Sequence, residues 1–179
     1  MKIAKTPYKD VISQLKILDN FKPFEIQIIG TPPLEINIES SDIDFICHYT
    51  EAQLNDLKKC LRKYKNLDQW ALKLCSKKPK VYICTFSYLN WDVEIYCSTQ
   101  PISEQYGYRH FQVEKRLLKL ANTHFKQHIL MLKQKGLKTE PAFAIALSLN
   151  GNPYIAMSDL FFASDQELLT LLKNSNFLN

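Results

Sequence analysis

The chain has 179 residues, 46% of them apolar and 23% charged, with a net charge of +5. That length and balance give one domain with a real hydrophobic core and exclude a disordered chain. The mild basic excess suits a phosphate-bearing substrate and falls short of a nucleic-acid-binding footprint.

In chain order, Thr6-Pro7 opens a helix with proline at its first position, and Val11, Ile12, Leu15 and Leu18 give it one apolar face. Phe24 to Ile29 alternates as a strand, then comes Gly30-Thr31 and an irregular loop stiffened by Pro32-Pro33. Ser41 to Cys47 reads as a second strand. Thr50-Glu51-Ala52-Gln53 is a capping box for a helix carrying Leu54, Leu57, Leu61 and Tyr64 inward and Lys58, Lys59, Arg62 and Lys63 outward. Three strand-like runs follow, Trp70 to Leu74, Val81 to Phe86 and Trp91 to Cys97. Lys77-Lys78-Pro79 and Leu89-Asn90 separate them as turns of a meander.

From Ser103 the apolar period changes from two to about 3.6. Ser103 caps a long helix to Leu120, and a second runs from Thr123 to a C-terminal glycine, Gly136. A third spans Thr139 to Asn150-Gly151, and two shorter ones lie around Ile155 to Phe162 and Gln166 to Leu172. The fold class is therefore α+β: a mixed sheet of about five strands in residues 1–100, flanked by helices, with a helical part in 101–179 packed on it as a single domain.

Five cysteines, Cys47, Cys60, Cys75, Cys84 and Cys97, are an odd number without a C-x-x-C pair. They read as reduced thiols, which points to the cytoplasm. No secretory h-region follows the first residues and no apolar run reaches membrane-spanning length, so no membrane partner is expected.

The chemistry concentrates at two carboxylate pairs. Strand residues two apart share a face, so Asp42 and Asp44 point one way while Ile43 and Phe45 point the other. Adjacent carboxylates repel, and an ordinary fold gains nothing from pairing them. A hard divalent cation removes the repulsion and leaves room for substrate phosphates. Further on, Asp92 and Glu94 share a face while Val93 and Ile95 face the core. A solvated sheet face is the plain alternative for both pairs.

The combination of a strand, Gly30-Thr31, a loop and Asp42-Ile43-Asp44 resembles the active-site pattern of nucleotidyltransferases of the DNA polymerase β type. More narrowly, Ile29-Gly30-Thr31-Pro32, Ser41-Asp42-Ile43-Asp44, Tyr108-Arg109-His110 and Gly136-Leu137-Lys138-Thr139-Glu140-Pro141-Ala142-Phe143 are similar to the DUF4269 group of bacterial proteins, which has no assigned substrate. The resemblance runs over roughly residues 24 to 160. It implies that Asp42, Asp44 and a third acid bind Mg²⁺, or Mn²⁺ in its place, and act in catalysis. The superfamily's third acid has apolar neighbours, which favours Glu94 over Asp92.

The same resemblance implies that Gly30, Thr31 and Ser41 approach the phosphates of a nucleoside triphosphate. Arg109 offers a planar fork suited to phosphate. Lys138 and Thr139 at a helix start make an anion site, alongside the plainer reading of Thr139 as an N-cap. Arg116 reads as a surface ion pair, and His124 and His128 as a solvated pair lacking an H-E-x-x-H glutamate.

The resulting expectation is transfer of a nucleotidyl group from a nucleoside triphosphate to an unknown hydroxyl or phosphate acceptor. Two rivals share the residues: an inactive relative that binds nucleotide, RNA or protein, and a metal-dependent phosphohydrolase or other phosphotransfer enzyme. The double proline and the absence of a second Gly or Ser after Gly30 favour the binder. Acceptor, choice of nucleotide and oligomeric state are open.

Overall fold

The structure, a computed structural model, describes residues 5–75 and 79–178. The described chain divides into two compact units, one running to Pro32 and resuming at Glu39–Gln105, the other formed by Pro33–Ile38 and the chain from Tyr106.

The first unit is built on a five-stranded mixed sheet: β1 (Glu25–Ile29), β2 (Ile43–His48), β3 (Asp68–Cys75), β4 (Val81–Tyr88) and β5 (Trp91–Ser98). Its order is β1-β2-β5-β4-β3, with β2 and β5 parallel and every other pair antiparallel. The meander β3-β4-β5 is present as expected. Its second hairpin turns at Leu89 and Asn90, both at positive φ (49° and 63°), the twist that tight hairpins favour. Lys77 and Lys78 of the first expected turn lie outside the described residues.

One sheet face is apolar. Phe45, Cys47, Cys84, Phe86, Val93 and Ile95 are buried there in one cluster with residues from α1 (Tyr8–Leu15), α2 (Ile17–Asn20) and α3 (Leu54–Arg62). Each such side chain removed from water contributes roughly 1.5–3 kcal/mol. Leu57 and Leu61 of α3 and Tyr64 after it point inward as the helical spacing requires, and Gln53 reaches back to the Thr50 N–H at 2.9 Å. Tyr64 stacks on Phe86 with ring centroids 4.8 Å apart.

Two local expectations change. The single N-terminal helix is broken at Lys16, whose φ of 51° is left-handed, and Pro7 sits at the N-cap and not inside the helix. The break resets the helical phase, so Ile17 is buried and Leu18 is 52% exposed. Ser103 does not cap a long helix. It lies inside a 3₁₀ turn, Ile102–Glu104, and the helix starts afterwards.

The second unit holds α4 (Tyr106–Leu120), α5 (Thr123–Gln134), α6 (Thr139–Ala146), α7 (Pro153–Asp159) and α8 (Asp165–Asn174). Phe125 of α5 is fully buried and meets Phe143 of α6 and Phe177 edge-on at 5.5 and 5.0 Å. Gly136, at φ 95°, ends α5 in the C′ position anticipated for it. The expected third helix is shorter than its apolar run, because α6 ends at Ala146 and Ser148 turns left-handed at φ 54°.

Candidate functional site

The acids gather at one end of the sheet, on the face opposite the apolar cluster. Asp44 and Glu94 are direct register partners across the parallel pair β2 and β5, which puts their side chains on one face. Both are half-buried, while Asp42, one residue before β2, is exposed. Thr85 of β4 is the partner of Glu94 on its other side. An open cleft of about 230 Å³ is lined by Asp42, Asp92, Glu94, Gln69, Thr85 and Ser87 among others. The cleft is open to solvent and has room for a cation and phosphate groups.

Gly30 sits against this group for a steric reason. Its φ is +75°, and a Cβ placed there would come within 2.5 Å of the Asp44 Oδ2. A side chain at position 30 is therefore excluded by the carboxylate as well as by the backbone. Thr31 and Ser41 are buried, and the Thr31 hydroxyl donates to the Ser41 hydroxyl at 3.1 Å. Their hydroxyls thus close the two ends of the loop on each other. The double proline lies in a 3₁₀ turn, Pro32–Leu34, within that loop.

The electrostatics follow from the crowding of acids. Burial, and then the charge of Asp42, raise the pKa of Glu94 above the ordinary carboxylate value, with partial relief from Lys73. Asp92 accepts a hydrogen bond from Ser87 at 2.7 Å. Among the described residues no three His, Cys, Asp or Glu side chains form a ready-made metal cluster. The donors themselves are few and all carboxylate oxygens, which fits a Mg²⁺ that keeps waters and takes substrate phosphates as further ligands. Asp44 and Glu94 are in direct register, and Asp42 and Asp92 lie at the same end of the sheet.

Lys5 is the residue that sequence reasoning missed. Its Nζ donates to the Ser41 carbonyl at 2.7 Å and lies 4.0 Å from the centroid of the Trp91 ring. Nothing in the spacing of an isolated N-terminal lysine marks it. Only the fold brings it beside the acids.

Arg109, Lys138 and Thr139 lie in the helical unit. The Arg109 guanidinium stands over the Phe162 ring at 5.2 Å and the Phe161 ring at 5.9 Å, and its buried Nε meets no hydrogen-bond acceptor among the described residues. Lys138 is the extended N-cap residue of α6. Thr139 is the first helical residue and not the cap, and its hydroxyl accepts from the Lys133 ammonium at 3.0 Å. Arg116 pairs with Asp165 at 2.8 Å, as its surface position suggested.

That unit also holds a buried ionic group. The Nε2 of His110 lies 2.8 Å from the Tyr154 carbonyl and its Nδ1 3.2 Å from Glu140 Oε1. Both neighbours can accept, so the protonated ring can donate to each of them. Burial alone would lower the His110 pKa, but the hydrogen bonds to Glu140 and Tyr154 outweigh it and raise it. Glu114 is fully enclosed. Burial, then the charge of Glu140, push its pKa well up, against a pull from Lys133.

Comparison with solved structures finds the same architecture in nucleotidyltransferases. The Cid1 poly(U) polymerase with MgGTP bound matches with a TM-score of 0.52 and 11% identity, over 71% of this chain and 40% of that chain. A second Cid1 structure, described for its RNA terminal uridylyl transferase activity, gives 0.54 and 11% over 74% of this chain and 42% of that one. The GLD-2/RNP-8 complex gives 0.52 and 14%, over 93% of this chain and 75% of its counterpart. Identities this low establish the fold alone, and the chain spans about two-fifths of these two Cid1 chains. No curated protein matches it in sequence. The family model described as a domain of unknown function, DUF4269, matches residues 10–160, and on that match over most of its length the chain belongs to the DUF4269 family, with a nucleotidyltransferase-like fold.

Proposed function

We propose that the protein is a Mg²⁺-dependent nucleotidyltransferase that moves a nucleotidyl group from a nucleoside triphosphate to a hydroxyl or phosphate acceptor. The observation that carries this reading is the register pairing of Asp44 with Glu94, with Gly30 packed against the Asp44 carboxylate. Three acids at one sheet end are costly as they stand, as the raised pKa of Glu94 attests. Asp42, Asp44 and Glu94 would hold the cation, which when bound supplies positive charge for the reacting phosphate oxygens. Gly30 leaves room for backbone approach, and Thr31 and Ser41 hold the loop closed behind it. Arg109, Lys138 and Thr139 are assigned to phosphate by their chemistry and by the family pattern. The five free thiols agree with a cytoplasmic enzyme.

A non-catalytic nucleotide binder is the second reading. The lack of a ready-made three-acid metal cluster among the described residues favours it. Calorimetric titration with ATP, GTP, CTP and UTP, with and without Mg²⁺, separates the two. The enzyme reading expects binding that needs Mg²⁺ and disappears in the Asp42→Asn/Asp44→Asn double variant. Binding indifferent to Mg²⁺ and to both substitutions favours the binder, and no binding under any condition overturns both.

A further inference from the structure

Lys5 and Thr6 are clasped onto the acid end of the sheet by Trp91. The indole N–H of Trp91 donates to the Thr6 carbonyl at 2.8 Å, and the Lys5 ammonium lies over the same ring at 4.0 Å. Trp91 is itself buried and precedes Asp92 in β5, so the clasp is anchored on a rigid element. The Lys5 Nζ then bonds the carbonyl of Ser41, the residue just before Asp42. One ammonium group therefore bridges the starts of both acid-bearing strands. Burial weakens its hold on a proton, and the charges of Asp92, Asp42 and Glu39, in that order, oppose this.

We propose that Lys5 is a built-in counter-cation of the acid cleft, one that a divalent metal must displace or outcompete in order to bind. This inference rests on the metal-binding reading above and adds the regulation of that site. The physical reason is Coulombic. A positive charge held on the residues that precede Asp42 and Asp92 offsets part of the acids' mutual repulsion in the absence of metal. Near a protein surface the same charge repels an incoming dication by a substantial amount. Its tether is a cation–π contact and a single backbone hydrogen bond, both strong enough to place it and weak enough to release it. The clasp thus sets a threshold for metal occupancy and keeps the cleft neutralised when phosphate-bearing substrate is absent.

The test is Mn²⁺ binding, followed by electron paramagnetic resonance of the free ion. The chains compared are the wild type, Lys5→Met, which keeps the stem over Trp91 without the charge, and Lys5→Arg, which keeps the charge. Lys5→Met is expected to bind Mn²⁺ about tenfold tighter than wild type, and Lys5→Arg about equally. In chelator at neutral pH, Lys5→Met melts lower than wild type and Mg²⁺ restores it. Trp91→Phe, which drops the indole hold on Thr6 and touches no acid, shifts affinity the same way by a smaller factor. Wild-type binding with no gain, or a loss, in Lys5→Met and Trp91→Phe overturns the counter-cation role and leaves the metal site standing. No Mn²⁺ binding by any of these chains overturns the metal site and the role of Lys5 together.

Discussion

Gly30 and Asp44 couple the backbone directly to the chemistry of the site. Gly30→Ala places a methyl group against a carboxylate oxygen and a side chain in left-handed backbone. It is expected to cost about 1–3 kcal/mol in a denaturant melt and to weaken metal binding with it. The ionic group in the helical unit gives a pH dependence whose sign is set by its shifts. His110 has a raised pKa, so its contribution is complete below the unfolded value of 6.5 and is lost as pH rises through the folded one. His110→Gln should remove that loss from a plot of melting temperature against pH. Glu114 is a buried acid with a raised pKa, so deprotonation destabilises the fold as pH climbs above 4.5. Glu114→Gln should therefore gain on wild type progressively as pH rises from there, and a difference independent of pH would contradict the assignment. The placing of Asp44 and Glu94 on the polar sheet face was legible from alternation, because spacing of two on a strand fixes a shared face. Lys5 was not, since its contacts with Ser41 and Trp91 span distant parts of the chain.

At the scale of elements, the alternating strands carried most of the information. The meander of β3, β4 and β5 follows from alternating apolar runs and short turns. Ser164 begins α8 with a capping box, its hydroxyl accepting from the Glu167 N–H while the Glu167 carboxylate accepts from the Ser164 N–H at 2.7 Å. Ser164→Ala is expected to cost about 1 kcal/mol by chemical denaturation, since one orphan donor of the first turn loses its acceptor. What sequence pattern did not show were single-residue breaks. The left-handed Lys16 and Ser148 carry no glycine or asparagine to announce them, and tertiary packing of Ile17 outweighs the local preference of the chain. Likewise a 3₁₀ turn at Ile102–Glu104 takes the place of the cap that Ser103 suggested.

At the scale of the whole molecule, the family match over 10–160 takes in residues of both compact units. The stretch Pro33–Ile38 belongs with the helical unit although it lies in the loop between β1 and β2, and Lys126 of α5 pairs there with Glu35 at 2.8 Å. Local periodicity carries no trace of such a crossing. Among the described residues no helix is long and apolar enough to cross a membrane. Nucleotidyl transfer from a triphosphate releases pyrophosphate, and that release is the first thing to measure. The wild-type chain and Glu94→Gln would be incubated with Mg²⁺ and each nucleoside triphosphate, against RNA oligonucleotides and small hydroxyl compounds as acceptors. The wild type is expected to form pyrophosphate with at least one nucleotide, and Glu94→Gln to lose that activity by a factor of at least about 100. Release that is equal in the two chains would contradict the assignment of Glu94, and none from the wild type with any combination would contradict the transferase reading itself.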